Sequence, residues 1–184
     1  MNTTPRKSRM VLGKVYFWTD TIKDWKHLLK PDKYKQIIIQ QLQWLAQRNL
    51  VTIYGFVIMP NHLHLLWQMN NKNGKEMPHA TFNKWTSHHF LKDLRKYHPQ
   101  VLPYFQEETV ERKHRFWQRD ALAVWVDTPA KFYQKLIYIH NNPLQERWSL
   151  ATVPEAYYWS SARFYSTGED AFSILTHSGD AGLA

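Results

Sequence analysis

At 184 residues, with 43% hydrophobic side chains, the chain is long enough for one domain with a buried core. It has no cysteine, which excludes disulfides, thiolate–zinc sites and cysteine nucleophiles and fits a reducing compartment. Lys and Arg number 24 against 15 Asp and Glu, a formal net charge of +9, and there are nine Trp, ten Tyr and nine Phe. A basic, ring-rich surface suits a polyanion with flat bases, a nucleic acid; a basic protein that touches none is the plain alternative.

The opening MNTTPRKSRM is basic but leads into no apolar signal-peptide core, and no apolar run approaches a membrane span, so the expected location is cytoplasmic. Residues 15–22, VYFWTDTI, are β-branched and aromatic and read as a strand. Over 31–49, Tyr34, Ile37, Ile38, Leu42 and Leu45 recur at helical spacing, with Asp32 as N-cap. Residues 51–59 and 62–69 are two strands joined by a tight turn at Pro60-Asn61. A loop over 70–79 leads to a helix over 80–98, then to a strand or bent strand pair over 114–126. The helix over 127–143 is the best marked: Thr128 can cap it, Pro129 sits at its first position and Pro143 ends it. Strand, helix, strand, strand, helix, strand, helix implies an α+β domain, an antiparallel sheet with helices packed on one face.

Within 59–69, MPNHLHLLWQM, His62 and His64 are two apart on a strand and therefore share a face. Alone, such a pair is more often two surface or core histidines than half a metal site. On the helix over 127–143, Phe132, Leu136 and Ile139 form an apolar stripe, while Lys131, Lys135, Tyr138 and Asn142 fall together on another. An ordinary solvated face bearing a tyrosine is the competing account of the second stripe. Joined, the halves offer a chemistry. His62, His64 and Asn142 can hold Mg2+ or Mn2+, and a phenol, normally titrating near 10, becomes a phosphodiester nucleophile when a metal polarises the phosphoryl oxygens and lysines offset the charge. The product is a 5′-phosphotyrosine and a free 3′-hydroxyl. Tyr133 reads as packing, and His140 and the His88-His89 pair carry no catalytic role.

VIMPNHLHLL resembles the His-hydrophobic-His strand of the single-tyrosine transposases of the HUH nuclease superfamily. FWQRD followed by LIYIHNNP is similar to the tyrosine helix of their REP-associated and related stand-alone branch, and YYWSSARFY to the segment after it. The likeness spans about residues 15–165. It implies a ferredoxin-like fold and metal-dependent cleavage and rejoining of single-stranded DNA, often beside a hairpin. It carries the metal ligands onto His62, His64 and Asn142 and the nucleophile onto Tyr138, and is compatible with a monomer or a homodimer.

Expected DNA contacts are Lys131 and Lys135, beside the nucleophile, and Arg115 and Arg119, within a basic run that also holds Arg112 and Lys113. Arg6, Lys7, Arg9 and Lys14 make a basic arm that lies along phosphates or only solubilises. Trp117, Trp159 and Tyr158 are stacking candidates, with core packing the commoner fate of Trp. The expected organisation is an arm over 1–14, a catalytic domain over 15–165 and a weakly ordered tail over 166–184. A catalytically idle nucleic-acid-binding protein of the same fold is the alternative function, and a metal hydrolase using activated water is a third.

Overall fold

The computed structural model describes residues 10–109 and 112–181. Strand β1 (Val15–Thr21) is followed by helix α1 (Asp32–Gln47), strands β2 (Val51–Ile58) and β3 (His62–Met69), and helix α2 (Pro78–Tyr97). Two short strands, β4 (Gln106–Thr109) and β5 (Arg112–His114), pair with each other, and β6 (Leu122–Trp125) returns to the main sheet before helices α3 (Pro129–Asn141) and α4 (Ala162–Thr167). The sheet order is β2-β3-β1-β6, and every pairing is antiparallel. With β1-α1-β2-β3-α2-β6 as its connectivity, this is the split βαβ arrangement of a ferredoxin-like fold.

Alternation along β1 divides the molecule into layers. Trp18 stacks on Trp67 with centroids 5.0 Å apart and meets Phe82 of α2 edge-on, both tryptophans being almost wholly buried. Tyr34 of α1 meets Phe90 of α2, so these two helices share one face, as the sequence predicts. Phe17 points the other way, to Tyr138 of α3 at 5.8 Å. Helix α3 therefore departs from the expected single helical layer. Its apolar stripe, Phe132, Leu136 and Ile139, is buried, and only the second sheet face is left to receive it.

Local signals set most boundaries. Thr128 caps α3 by accepting from the Lys131 N–H at 3.3 Å, and the Pro60-Asn61 turn is closed by the Met59 N–H donating to His62 O at 2.8 Å. Asp32 is not the N-cap of α1. Pro31 occupies that position, and the Asp32 carboxylate accepts from Lys35 Nζ at 2.8 Å and Trp159 Nε1 at 2.9 Å instead. The run over 114–126 reaches the sheet only at β6 and through one bridge, Ile22 to Trp117.

The segment after α3 completes the other sheet edge. Ile58 N–H donates to Trp159 O and Ser161 N–H to Phe56 O, both at 2.9 Å. Beyond it the chain is packed, contrary to the weakly ordered tail its polar composition suggests. The Asp170 carboxylate accepts from the N–H groups of Phe172, Ile174 and Leu175, and Phe172 and Ile174 are buried. Residues 182–184 lie outside the described residues, as do Arg6, Lys7 and Arg9 of the basic arm. No helix among the described residues is long and apolar enough to cross a membrane.

Candidate active site

His62 and His64 project from β3 onto the face that receives α3, with ring centroids 4.8 Å apart. Helix α3 brings Tyr138 to His64, centroid to centroid 5.3 Å, and its C-cap, Asn142, places Nδ2 3.2 Å from His64 Nε2. Lys135 Nζ lies 4.9 Å from the Phe17 ring centroid, and Phe17 stacks on His64 at 5.2 Å. Four expected site residues and one expected lysine thus meet within one chain. Tyr138 is 42% exposed while Asn142 is fully buried, so the phenol is open to a substrate and the amide is not.

Hydrogen bonding fixes which nitrogen of each ring is available. Asn61 Nδ2 donates to Trp25 O at 3.2 Å, which leaves its Oδ1 facing His62 Nδ1 at 2.6 Å. A carbonyl oxygen only accepts, so His62 Nδ1 carries the proton and Nε2 keeps a lone pair. An amide NH2 only donates, so His64 Nε2 accepts from Asn142, and His64 Nδ1 donates to Thr19 Oγ1 at 2.7 Å. Both imidazoles therefore keep Nε2 unprotonated, that of His64 accepting from Asn142. Burial, with Arg147 as the next cause, pushes the His62 pKa down to about 4. His64 is held well below its usual range by burial first, then by His62, Lys135 and Arg147. Both rings are neutral at pH 7, as metal ligation requires.

Asn142 Oδ1 is buried and has no hydrogen-bond partner, a costly state for a carbonyl oxygen. A cation against it would remove that cost. Among the described residues no group of three or more His, Cys, Asp and Glu side chains gathers to hold a metal. The donor set that could face a cation is two imidazoles and an amide oxygen, a neutral set that leaves a divalent charge to be met by an anionic substrate.

The remaining expectations separate. Lys131 is on α3 but pairs with Asp127 at 2.7 Å. Arg115 and Arg119 both pair with Glu107, at 3.3 and 2.6 Å. Lys14 lies over Trp125 at the β6 edge, 5.8 Å from the ring centroid. Of Arg112 only the backbone is described. Trp117 and Trp159 are core residues and Tyr158 is exposed. Tyr133, expected to pack, is 52% exposed and touches Phe132 edge-on. His140 faces Ser161 Oγ at 2.9 Å, and His89 stacks on Trp85. A cavity of about 860 Å3 is on the opposite side of the sheet between Trp18, Asn83 and Ala123.

Sequence reasoning missed Thr19, Asn61 and Arg147. Thr19 meets His64 only through the β1–β3 register, which no local pattern encodes. Asn61 is legible as a turn residue and gains its second role from the neighbouring histidine.

No family model matches the chain, and no curated protein does. Among solved structures it is similar to a REP-associated tyrosine transposase bound to a REP hairpin, with a TM-score of 0.63 and 12% identity over 99% of this chain and 97% of that one. The fold is that of a tyrosine transposase. A candidate transposase from Deinococcus radiodurans is more distant, at a TM-score of 0.42 and 18% identity over 74% of this chain and 96% of that one. At such identities the likeness to the REP-associated transposase concerns the path of the chain, and the side chains above speak for themselves.

Proposed function

We propose that this protein is a single-tyrosine transposase of the HUH type, a metal-dependent enzyme that cuts and rejoins single-stranded DNA. One observation carries the reading: Tyr138 stands beside a histidine pair whose Nε2 atoms are both unprotonated, that of His64 accepting from Asn142 Nδ2, while the buried Oδ1 of the same amide has no hydrogen-bond partner. His62, His64 and Asn142 would hold Mg2+ or Mn2+, which when bound polarises the phosphoryl oxygens. Tyr138 Oη attacks phosphorus, the P–O3′ bond breaks, the phenolic proton passes to solvent, and the departing oxygen takes up a proton as a 3′-hydroxyl. Lys135, over the Phe17 ring that stacks on His64, would offset charge on the phosphate. Rejoining is the reverse, with a 3′-hydroxyl displacing the phenol. The solved transposase of the same fold is bound to a REP hairpin, which makes single-stranded DNA next to a hairpin the substrate to try first. Residues 15–165 form the catalytic unit in this reading.

The deciding experiment incubates the protein with labelled single-stranded oligonucleotides and Mn2+ and looks for a covalent adduct. We expect an adduct with the native protein and none with Tyr138→Phe, which keeps its DNA affinity. Cutting that persists in Tyr138→Phe would assign the chemistry to activated water, and no adduct in either form would leave a DNA-binding protein.

A further inference from the structure

The aromatic rings of the site are linked by successive contacts. Tyr138 meets His64, His64 meets His62, and His62 meets Trp25 at a centroid distance of 6.4 Å and 68°. Trp25 is 57% exposed, a large apolar surface left in water. The backbone that displays it is strained. Asp24 and Trp25 have φ of 55° and 56°, and two successive non-glycine residues in the left-handed region persist only where surrounding contacts hold them. Here Trp25 N–H donates to Ile22 O at 2.9 Å, Lys26 pairs with Asp24 at 2.8 Å, and Asn61 Nδ2 donates to Trp25 O. That same Asn61 side chain accepts from His62 Nδ1. A single amide therefore fixes the exposed indole relative to the imidazole. His62 also neighbours Trp148 at 5.8 Å, with the Arg147 guanidinium 5.5 Å from the Trp148 ring centroid.

We propose that Trp25 is a stacking platform for one unpaired nucleobase, that of the nucleotide carrying the departing 3′-oxygen. The proposal rests on the strand-cleavage reading for its polarity. In-line displacement puts the departing oxygen across phosphorus from the attacking phenol, and the successive ring contacts run from Tyr138 through the histidines to Trp25. The nucleotide that leaves with a 3′-hydroxyl consequently lies on the Trp25 side. An indole face accepts any base, and stacking requires that base to be unpaired. Arg147 supplies a cation for the adjoining phosphates. Trp25 thus selects single-stranded DNA at the cut and keeps the 3′ end in place for rejoining.

The test is binding in EDTA, where no strand is cut, to oligo-dT and to an abasic oligonucleotide of equal length. Trp25→Ala weakens oligo-dT binding by about tenfold or more and leaves abasic binding unchanged, with Trp25→Phe intermediate. Equal affinities for native protein and Trp25→Ala, or an equal loss on both probes, would overturn the proposal. This measurement is independent of the adduct assay. A Trp25-dependent preference for bases without any adduct keeps the platform and removes the chemistry; an adduct with no such preference does the reverse. Once the cut is mapped, one abasic residue immediately 5′ of it should cost the native protein what Trp25→Ala costs, with no added loss in combination. Additive losses would place Trp25 under another base and overturn the assignment.

Discussion

Each histidine of the pair gives its Nδ1 proton to an oxygen of the protein, Asn61 for His62 and Thr19 for His64. Such outer partners set the tautomer and the ring angle of a ligand, and their loss commonly costs ten- to a hundredfold in metal affinity. Thr19→Val keeps the shape and removes the acceptor. We expect Mn2+ affinity, read by calorimetry, to fall by about that factor; an unchanged affinity would show that Thr19 does not orient His64. At this scale the histidines were legible because a strand repeats every two residues. Thr19 was not, because it lies 45 positions away in sequence and reaches His64 only by strand pairing.

Helix α3 has to approach the sheet closely for Tyr138 and Asn142 to arrive together, and Gly55 permits it. The β2–β3 register shifts between Ile53 and Gly55, and a Cβ added at Gly55 would stand 2.7 Å from Leu136 Cδ1. Gly55→Val should overpack this contact, lowering stability by about 1–3 kcal/mol in thermal unfolding. By lifting α3 it should also reduce adduct formation more than it reduces oligo-dT affinity; a variant with both unaffected would mean that α3 tolerates the extra volume. The same element shows a local rule overridden. A residue before proline avoids the helical region, yet Asn142, before Pro143, has φ −57° and ψ −43°. Tertiary packing holds it there, buried against His64, so its direction was not readable from the sequence.

For the whole molecule, buried titratable groups set opposing pH dependences. Burial lowers His62 and His140 to about 4, so between about 4 and 6.5 the unfolded chain binds more protons and stability falls as pH drops. Asp20, fully buried against Asn83, is raised to about 7, chiefly by desolvation. The folded chain holds that extra proton between about 4 and 7, so this contribution falls as pH rises through the window. Asp20→Asn should therefore raise stability at pH 8 by up to about 4 kcal/mol and do little at pH 4. Denaturant titrations at the two pH values check this, and equal gains at both would refute the buried-charge account. The sequence by itself determined the order of elements, the antiparallel α+β class, the shared face of His62 and His64 and the stripe holding Lys135 and Tyr138. All of these follow from periodicities of two and 3.6 and from caps and turns that act over a few residues. Tertiary structure alone decided that α3 crosses the face opposite α1 and α2, that Arg115, Arg119 and Lys131 turn to carboxylates, and that Trp25 joins the linked rings. Those outcomes depend on which distant surfaces bury one another, and that is a property of the folded chain as a whole.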